Sequence, residues 1–116
     1  MIKTDIDLIL PVYNPDKDWE LTVVSKYNEL QILWKHADIH LYVVNDGSAR
    51  GFEKVVTDYI RQNIPDVYIL GYPVNRGKGF ALRTAASVCR SGHFLYTDHD
   101  FPYTLESMSR VLDMLQ

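Results

Sequence analysis

A single cysteine, Cys89, stands among 116 residues, so an intrachain disulfide framework is excluded. It falls with Ala85, Ala86 and Val88 on an apolar helix face, the setting of a buried, inert thiol. No apolar run approaches the ~18 residues that a bilayer span requires. The opening residues, MIKTDIDLIL, carry an acidic residue within the apolar run and no small-residue cleavage site, so they do not read as a signal peptide. Neither sign of charge dominates. Twelve Lys and Arg against 15 Asp and Glu leave a net charge of −3, so a broad basic surface for nucleic acid is not expected and an anionic ligand must be met locally. The four histidines, His36, His40, His93 and His99, show no metal-ligand spacing. Repeats, low-complexity tracts and linkers are missing as well. A reducing, cytosolic setting fits these absences.

What is present is ordinary for a globular domain: 47% hydrophobic and 23% charged residues. The length allows one domain, residues 1–116, with a real core. Ile6 to Val12 reads as a strand, with Pro11 near its end, where a missing N–H is tolerated. Asn14 and Pro15 suit the cap and first position of a helix running to about Lys35. Its stripe is Val23, Tyr27, Leu30 and Trp34. His40 to Val44 is a second strand, broken by the turn sequence Asn45-Asp46-Gly47-Ser48. A second helix follows from near Gly51, with Phe52, Val55, Val56, Tyr59 and Ile60 at helical spacing and Pro65 as its stop. Val67 to Leu70 is a third strand. Asn75 to Gly79 opens a third helix, whose inner face is Leu82, Ala85, Ala86, Val88 and Cys89. Phe94 to Tyr96 is a fourth strand, and Thr104 caps a last helix reaching Gln116. Apolar strands alternating with amphipathic helices predict an α/β fold: a four-stranded, mostly parallel sheet with helices on both faces. Right-handed crossovers with one switch point give the strand order 3-2-1-4.

In such sheets ligands bind beyond the carboxyl ends of the strands. Polar signals fall at all four ends: Tyr13-Asn14, Asn45-Asp46-Gly47-Ser48, Arg76-Gly77-Lys78-Gly79 and Asp98-His99-Asp100. In extended chain Asp98 and Asp100 face one side, roughly 6–7 Å apart. Two carboxylates so spaced suit a hard cation such as Mg²⁺ or Mn²⁺. By themselves they read more readily as turn residues; the shared edge is what sets them apart. Asp46 can accept hydrogen bonds from base N–H or ribose hydroxyl groups, or serve the turn. Arg76 to Gly79 offers cations and backbone N–H groups at a helix start, a seat for an anion. It is not a phosphate loop of the NTPase type, since Tyr72 and Gly79 stand where that motif needs Gly and Ser or Thr. Nor does a G-x-G-x-x-G follow the first strand.

Pro11-Val12-Tyr13-Asn14, Val44-Asn45-Asp46-Gly47-Ser48, Asn75-Arg76-Gly77-Lys78-Gly79 and Asp98-His99-Asp100, in this order and spacing, resemble the family 2 glycosyltransferases. These are inverting sugar-nucleotide enzymes of GT-A fold. The Asn-x-Gly-Lys-Gly form looks most like the branch that glycosylates polyprenyl phosphates. The resemblance implies a hexosyltransferase using a UDP- or GDP-sugar, with an acceptor such as a polyprenyl phosphate or a cell-envelope glycan. It implies that Pro11, Val12, Tyr13 and Asp46 hold base and ribose, and that Gly77 and Lys78 approach the nucleotide. Asp98 and His99 would lie along the donor, with Asp98 and Asp100 on the metal. Where family members often carry Glu after Tyr-Asn, this chain has Pro15, followed by Asp16. Where they often carry Ala between the two aspartates, it has His99.

Family members continue for about another hundred residues, which supply the acceptor site and the general base. The expectation is therefore a donor-binding half, with no catalytic base before Gln116. If the full-length protein has membrane spans, it would work at the inner face of the membrane. The isolated half is expected to self-associate through strand four or the last helix, where apolar surface is left open. Three other readings are weighed. A sugar-nucleotide pyrophosphorylase lacks its Gly-rich loop here. A receiver domain would need acids where Tyr13-Asn14 and Gly71-Tyr72 stand. A non-catalytic nucleotide-binding or assembly module differs from the enzyme by having no metal-dependent turnover of a sugar nucleotide.

Overall fold

The computed structural model describes residues 4–89 and 94–97. Four strands, β1 (Thr4–Val12), β2 (Ala37–Asp46), β3 (Tyr68–Tyr72) and β4 (Phe94–Tyr96), alternate with three helices, α1 (Trp19–Leu33), α2 (Lys54–Asn63) and α3 (Lys78–Ala86). The sheet is parallel throughout, in the order β3-β2-β1-β4. The α/β architecture of a GT-A nucleotide-binding half, with strand order 3-2-1-4, is therefore present.

Alternation along the central strands sorts the side chains into two cores. Ile6, Leu8, Leu10 and Val12 of β1, with Ile39, Leu41 and Val43 of β2, face α1 and α2. The α1 stripe of Val23, Tyr27, Leu30 and Trp34 is buried here as its spacing predicts, together with Trp19 and Val24. On the other face Ile9, Tyr42 and Val44 pack against Ala81 and Ala85 of α3. The chain steps outward from β1 to β3 and then returns across the sheet to β4. Right-handed crossovers consequently lay α1 and α2 on one face and α3 on the other. The small side chains Ala81 and Ala85 let α3 approach the sheet closely.

Several boundaries differ from the sequence reading. Helix α1 begins at Trp19, not at Pro15, because the Asn14 side chain is committed elsewhere and Asp18 takes a left-handed conformation. Strand β3 runs on through Gly71 and Tyr72, which the sequence assigns to the connection. Helix α3 ends at Ala86, and both Ala86 and Val88 are exposed, so its inner face is narrower than predicted. Val55, placed on the inner face of α2 by its spacing, is 76% exposed. Helix α2 lies against α1 and the sheet through Val56, Tyr59 and Ile60 alone. The predicted final helix from Thr104 to Gln116, one of the two elements assigned to self-association, falls outside the described residues.

Asp7 interrupts the apolar run of β1 and is 1% exposed. Its carboxylate accepts hydrogen bonds from the Tyr42 hydroxyl and the Cys89 thiol. Burial, then the Asp7 charge, raises Tyr42 from 10.0 to about 12. The same causes in the same order raise Cys89 from 9.0 to about 11. Cys89 is half-buried rather than buried, yet the expected inertness follows, because the thiolate is the reactive form.

Alkylation of Cys89 by iodoacetamide should stay slow through neutral pH and climb only as pH approaches 11. Stability has a matching dependence. The unfolded chain releases these protons near 9.0 and 10.0, whereas the folded chain holds them to about 11 and about 12. The unfolded state therefore binds fewer protons in this window, and stability present below pH 9.0 is lost as pH rises through it. Melting temperatures measured across the alkaline range should fall more steeply for the native protein than for a Cys89→Ala/Tyr42→Phe variant.

Candidate functional site

All four strands point their carboxyl ends at one edge, so the polar segments after β1, β2 and β3 assemble there. Register fixes their order: Val12 pairs with Asn45, and Asn45 and Asp46 pair with Gly71 and Tyr72. On the far side of β1, β4 ends beside Ile9, and the Thr97 N–H donates to the Ile9 carbonyl at 3.2 Å.

The first two loops are tied together by Asn14. Its backbone N–H donates to Ser48 Oγ at 2.9 Å, and its Oδ1 accepts from the Ala49 N–H at 2.7 Å. Arg50 Nη2 donates to the Asn14 carbonyl at 2.9 Å. A helix cap was the sequence expectation for Asn14; the structure gives it a cross-loop bridge with φ 43°. Asn45 Oδ1 accepts from the Ser48 N–H at 2.9 Å and closes the second turn. Trp19 completes this side. Its Nε1–H donates to the Gly51 carbonyl at 2.9 Å, and its ring meets Phe52 at 5.1 Å.

The second and third loops are joined by Asp46, which is 4% exposed. Its Oδ1 accepts from the Tyr72 hydroxyl at 2.6 Å and the Arg76 N–H at 2.9 Å. Its Oδ2 accepts from Asn75 Nδ2 at 2.7 Å and the Gly77 N–H at 3.0 Å. Asn75 Nδ2 also reaches the Asp46 carbonyl at 3.1 Å. Burial, then the bond to Asp46, raises the Tyr72 pKa, with Arg76 opposing, so the hydroxyl stays a donor at physiological pH. An ionised carboxylate has about four acceptor positions. Four donors of the fold meet these positions.

Of the other predicted residues, Pro11 and Val12 are buried and contribute backbone, while Tyr13 is 51% exposed at the edge. Gly77 holds φ 92° at the start of α3. Lys78, the first residue of α3, carries Nζ 5.7 Å from the centre of the Tyr96 ring, joining α3 to β4. Arg76 lies over Phe80 at 5.1 Å, and Phe80 meets the Tyr72 ring edge-on at 5.0 Å. Asp98, His99 and Asp100 lie outside the described residues. Ser48, Tyr72 and Asn75 were missed as site-builders. The Ser of Asn-Asp-Gly-Ser and the Asn opening Asn-Arg-Gly-Lys-Gly were visible in the sequence, but nothing there pairs Tyr72 with Asp46.

Among the described residues one group has the donor set for a metal ion: Asp5, Asp38 and His40, with ligand atoms within 4.8 Å of one another. His40 Nε2 is 3.2 Å from Asp5 Oδ1. Registered pairing of Asp5 with Asp38 brings them together, which linear spacing of the histidines does not reveal. These residues stand at the amino ends of the strands, the opposite edge from Asp46. They are not the counterpart of the metal expected at Asp98 and Asp100.

The sequence profile described as Glycosyl transferase family 2 matches residues 7–116. The chain belongs to this family. It is also 30% identical, over 101 residues, to a dolichyl-phosphate beta-glucosyltransferase, ALG5A, of Trichomonas vaginalis. That alignment covers 82% of this chain and 30% of the relative, so the chain spans under a third of that protein's length. In this glycosyltransferase domain no described helix is long and apolar enough to cross a membrane.

Gly47 (φ 68°) sets how closely the second and third loops approach. A Cβ there would stand 2.2 Å from the Asn75 nitrogen, whereas a Cβ on Gly77 (φ 92°) meets nothing within 4 Å. Both glycines pay for a left-handed backbone when replaced, but only Gly47 also meets a steric block. Gly47→Ala should therefore cost roughly 1–3 kcal/mol more than Gly77→Ala. Urea denaturation of the two variants, compared with the native protein, measures the difference.

Proposed function

We propose that this chain is the donor-binding part of an inverting hexosyltransferase that takes a nucleoside-diphosphate sugar, UDP- or GDP-linked. The observation that carries the reading is the convergence of the loops after β1, β2 and β3 on one edge, with the Lys78 ammonium over β4. Backbone groups of Pro11 to Tyr13 hold the base and ribose, with the exposed Tyr13 ring beside them. Lys78 offers its charge to the diphosphate. Gly77 leaves room for the donor, since no atom lies within 4 Å of its missing Cβ.

Asp98 and Asp100 would hold Mg²⁺ or Mn²⁺, with His99 between them. Their donor set fits a hard cation that shares one or two carboxylates with substrate phosphates. Strand β4 runs parallel to β1, toward the edge where the other loops converge. The bound metal would supply Lewis-acid neutralisation of the departing nucleoside diphosphate. Activation of the acceptor, by orienting the anionic phosphate oxygen of a polyprenyl phosphate or by deprotonating a glycan hydroxyl, is assigned to residues beyond Gln116. The name of the Trichomonas relative supports a polyprenyl phosphate as acceptor and glucose as the first sugar to try. A polyprenyl phosphate is a lipid, so the full-length protein would act at the cytoplasmic face of a membrane.

Calorimetric titration of the full-length protein with UDP-glucose and GDP-glucose, with and without Mn²⁺, tests this. One nucleotide sugar should bind, more tightly when Mn²⁺ is present. Lys78→Ala should weaken binding about tenfold or more, the loss of a charged contact worth roughly 1.5–3 kcal/mol. Asp100→Asn should remove the Mn²⁺ increment and leave the metal-free affinity in place. Absence of binding to either nucleotide sugar with Mn²⁺ present would refute the reading.

A further inference from the structure

Arg76 and Lys78 stand at the start of α3, where the positive end of the helix dipole disfavours a cation and the first turn carries no acidic residue. Each is met instead by an aromatic face. Arg76 lies over Phe80 at 5.1 Å, and Phe80 touches the Tyr72 ring of β3 edge-on at 5.0 Å. Arg83 comes over the same Phe80 ring at 5.9 Å. Lys78 Nζ stands 5.7 Å from the centre of the Tyr96 ring of β4, within the ~6 Å reach of a cation–π contact. The rings therefore part the cations, with the two arginines on the β3 flank of α3 and Lys78 on the β4 flank. Tyr96 is the last residue of β4, paired with Ile9 of β1, and its side chain is 52% exposed.

From this we infer that Tyr96 is a positioning residue for the donor: its ring face holds the Lys78 ammonium on the β4 flank, where the nucleoside diphosphate is to be met. The inference rests on the donor reading above. A lysine stem has many rotamers, and ordering it opposes binding. A head group already held by a ring loses less freedom when the ligand arrives. The ammonium has three N–H bonds, so it can lie over the ring and still donate to a phosphate oxygen. Only the face of the ring is needed for this. Phenylalanine at position 96 would serve, and an aliphatic side chain would not.

Tyr96→Phe and Tyr96→Leu, made in the full-length protein, test the role. With UDP-glucose and GDP-glucose as probes and Mn²⁺ present, Tyr96→Leu should bind the accepted donor about two- to fivefold more weakly, the scale of an exposed cation–π contact. Tyr96→Phe should restore the native affinity. In a Lys78→Ala background Tyr96→Leu should cost nothing further, since it acts through the ammonium. The same loss in both backgrounds would overturn the inference and make Tyr96 a direct ligand. Equal loss in Tyr96→Phe and Tyr96→Leu, or no loss in either, would overturn it too. A reading without nucleotide comes from NMR of protein carrying ¹³C-labelled lysine. The ε-CH₂ signal that vanishes in Lys78→Ala should lie upfield of the other lysines in the native protein and in Tyr96→Phe, and rejoin them in Tyr96→Leu. An unshifted signal in the native protein would overturn the positioning role even if donor binds. A shifted signal in a protein that binds neither nucleotide sugar would refute the donor reading and the donor role of Tyr96 with it, leaving the ring contact as a feature of the fold alone.

Discussion

The carboxylate of Asp46, sunk at the end of the central strand β2, is the contact on which the carboxyl edge of this domain depends. Four donors drawn from one short segment, residues 72–77, converge on its two oxygens. Burying an ionised carboxylate is costly unless its acceptor capacity is met, and here the fold meets it entirely. The same arrangement satisfies two N–H groups at the start of α3 that have no partner within the helix. Helix start and carboxylate complement one another in charge as well, because the positive end of the helix faces the acid. One residue thus couples the ends of β2 and β3 to the start of α3.

Around that contact the other loops are fitted by shape. Gly47 lies so close to Asn75 that a methyl group has no room, which makes the second and third loops a single packed unit. Gly51 leaves space for Pro15 and lets Trp19 reach its carbonyl. Asn14 then bridges from the first loop to the second with both backbone and side chain. The result is a stiff edge built from three loops, whose exposed side chains include Tyr13, Val74, Arg76, Lys78 and the neighbouring Tyr96 ring. Binding residues held by such a scaffold lose little freedom when a ligand arrives.

The two cores do different work. The face covered by α1 and α2 holds the larger apolar cluster. The α3 face carries Asp7 with Tyr42 and Cys89, a polar group within a narrower apolar layer. Buried polar groups of this kind hold their neighbours in one arrangement when every atom is satisfied. Its position at the end of α3 away from Lys78 means the helix is fixed by a carboxylate near each terminus, Asp46 at the start and Asp7 beyond the end.

Apolar periodicity and turn chemistry were enough to define the four strands, the three described helices, their order and the parallel 3-2-1-4 sheet. These follow from local pattern and from the handedness of the crossovers. The family, too, was legible, because its motifs are short and fall at strand ends. Sequence alone also placed Asp46 at the carboxyl edge of the sheet, but not which partners it meets there. That required the register of β2 against β3, which sets Tyr72 beside Asp46, and the path of residues 73–77, which returns two N–H groups to it. The same limit applied to Asn14, read as a helix cap until Ser48 and Ala49 were seen beside it. It applied to Asp5, Asp38 and His40, which become neighbours only through strand pairing. Hydrogen-bond partners distant in sequence are chosen by tertiary geometry, since an aspartate that caps, binds or braces has the same local sequence in each case.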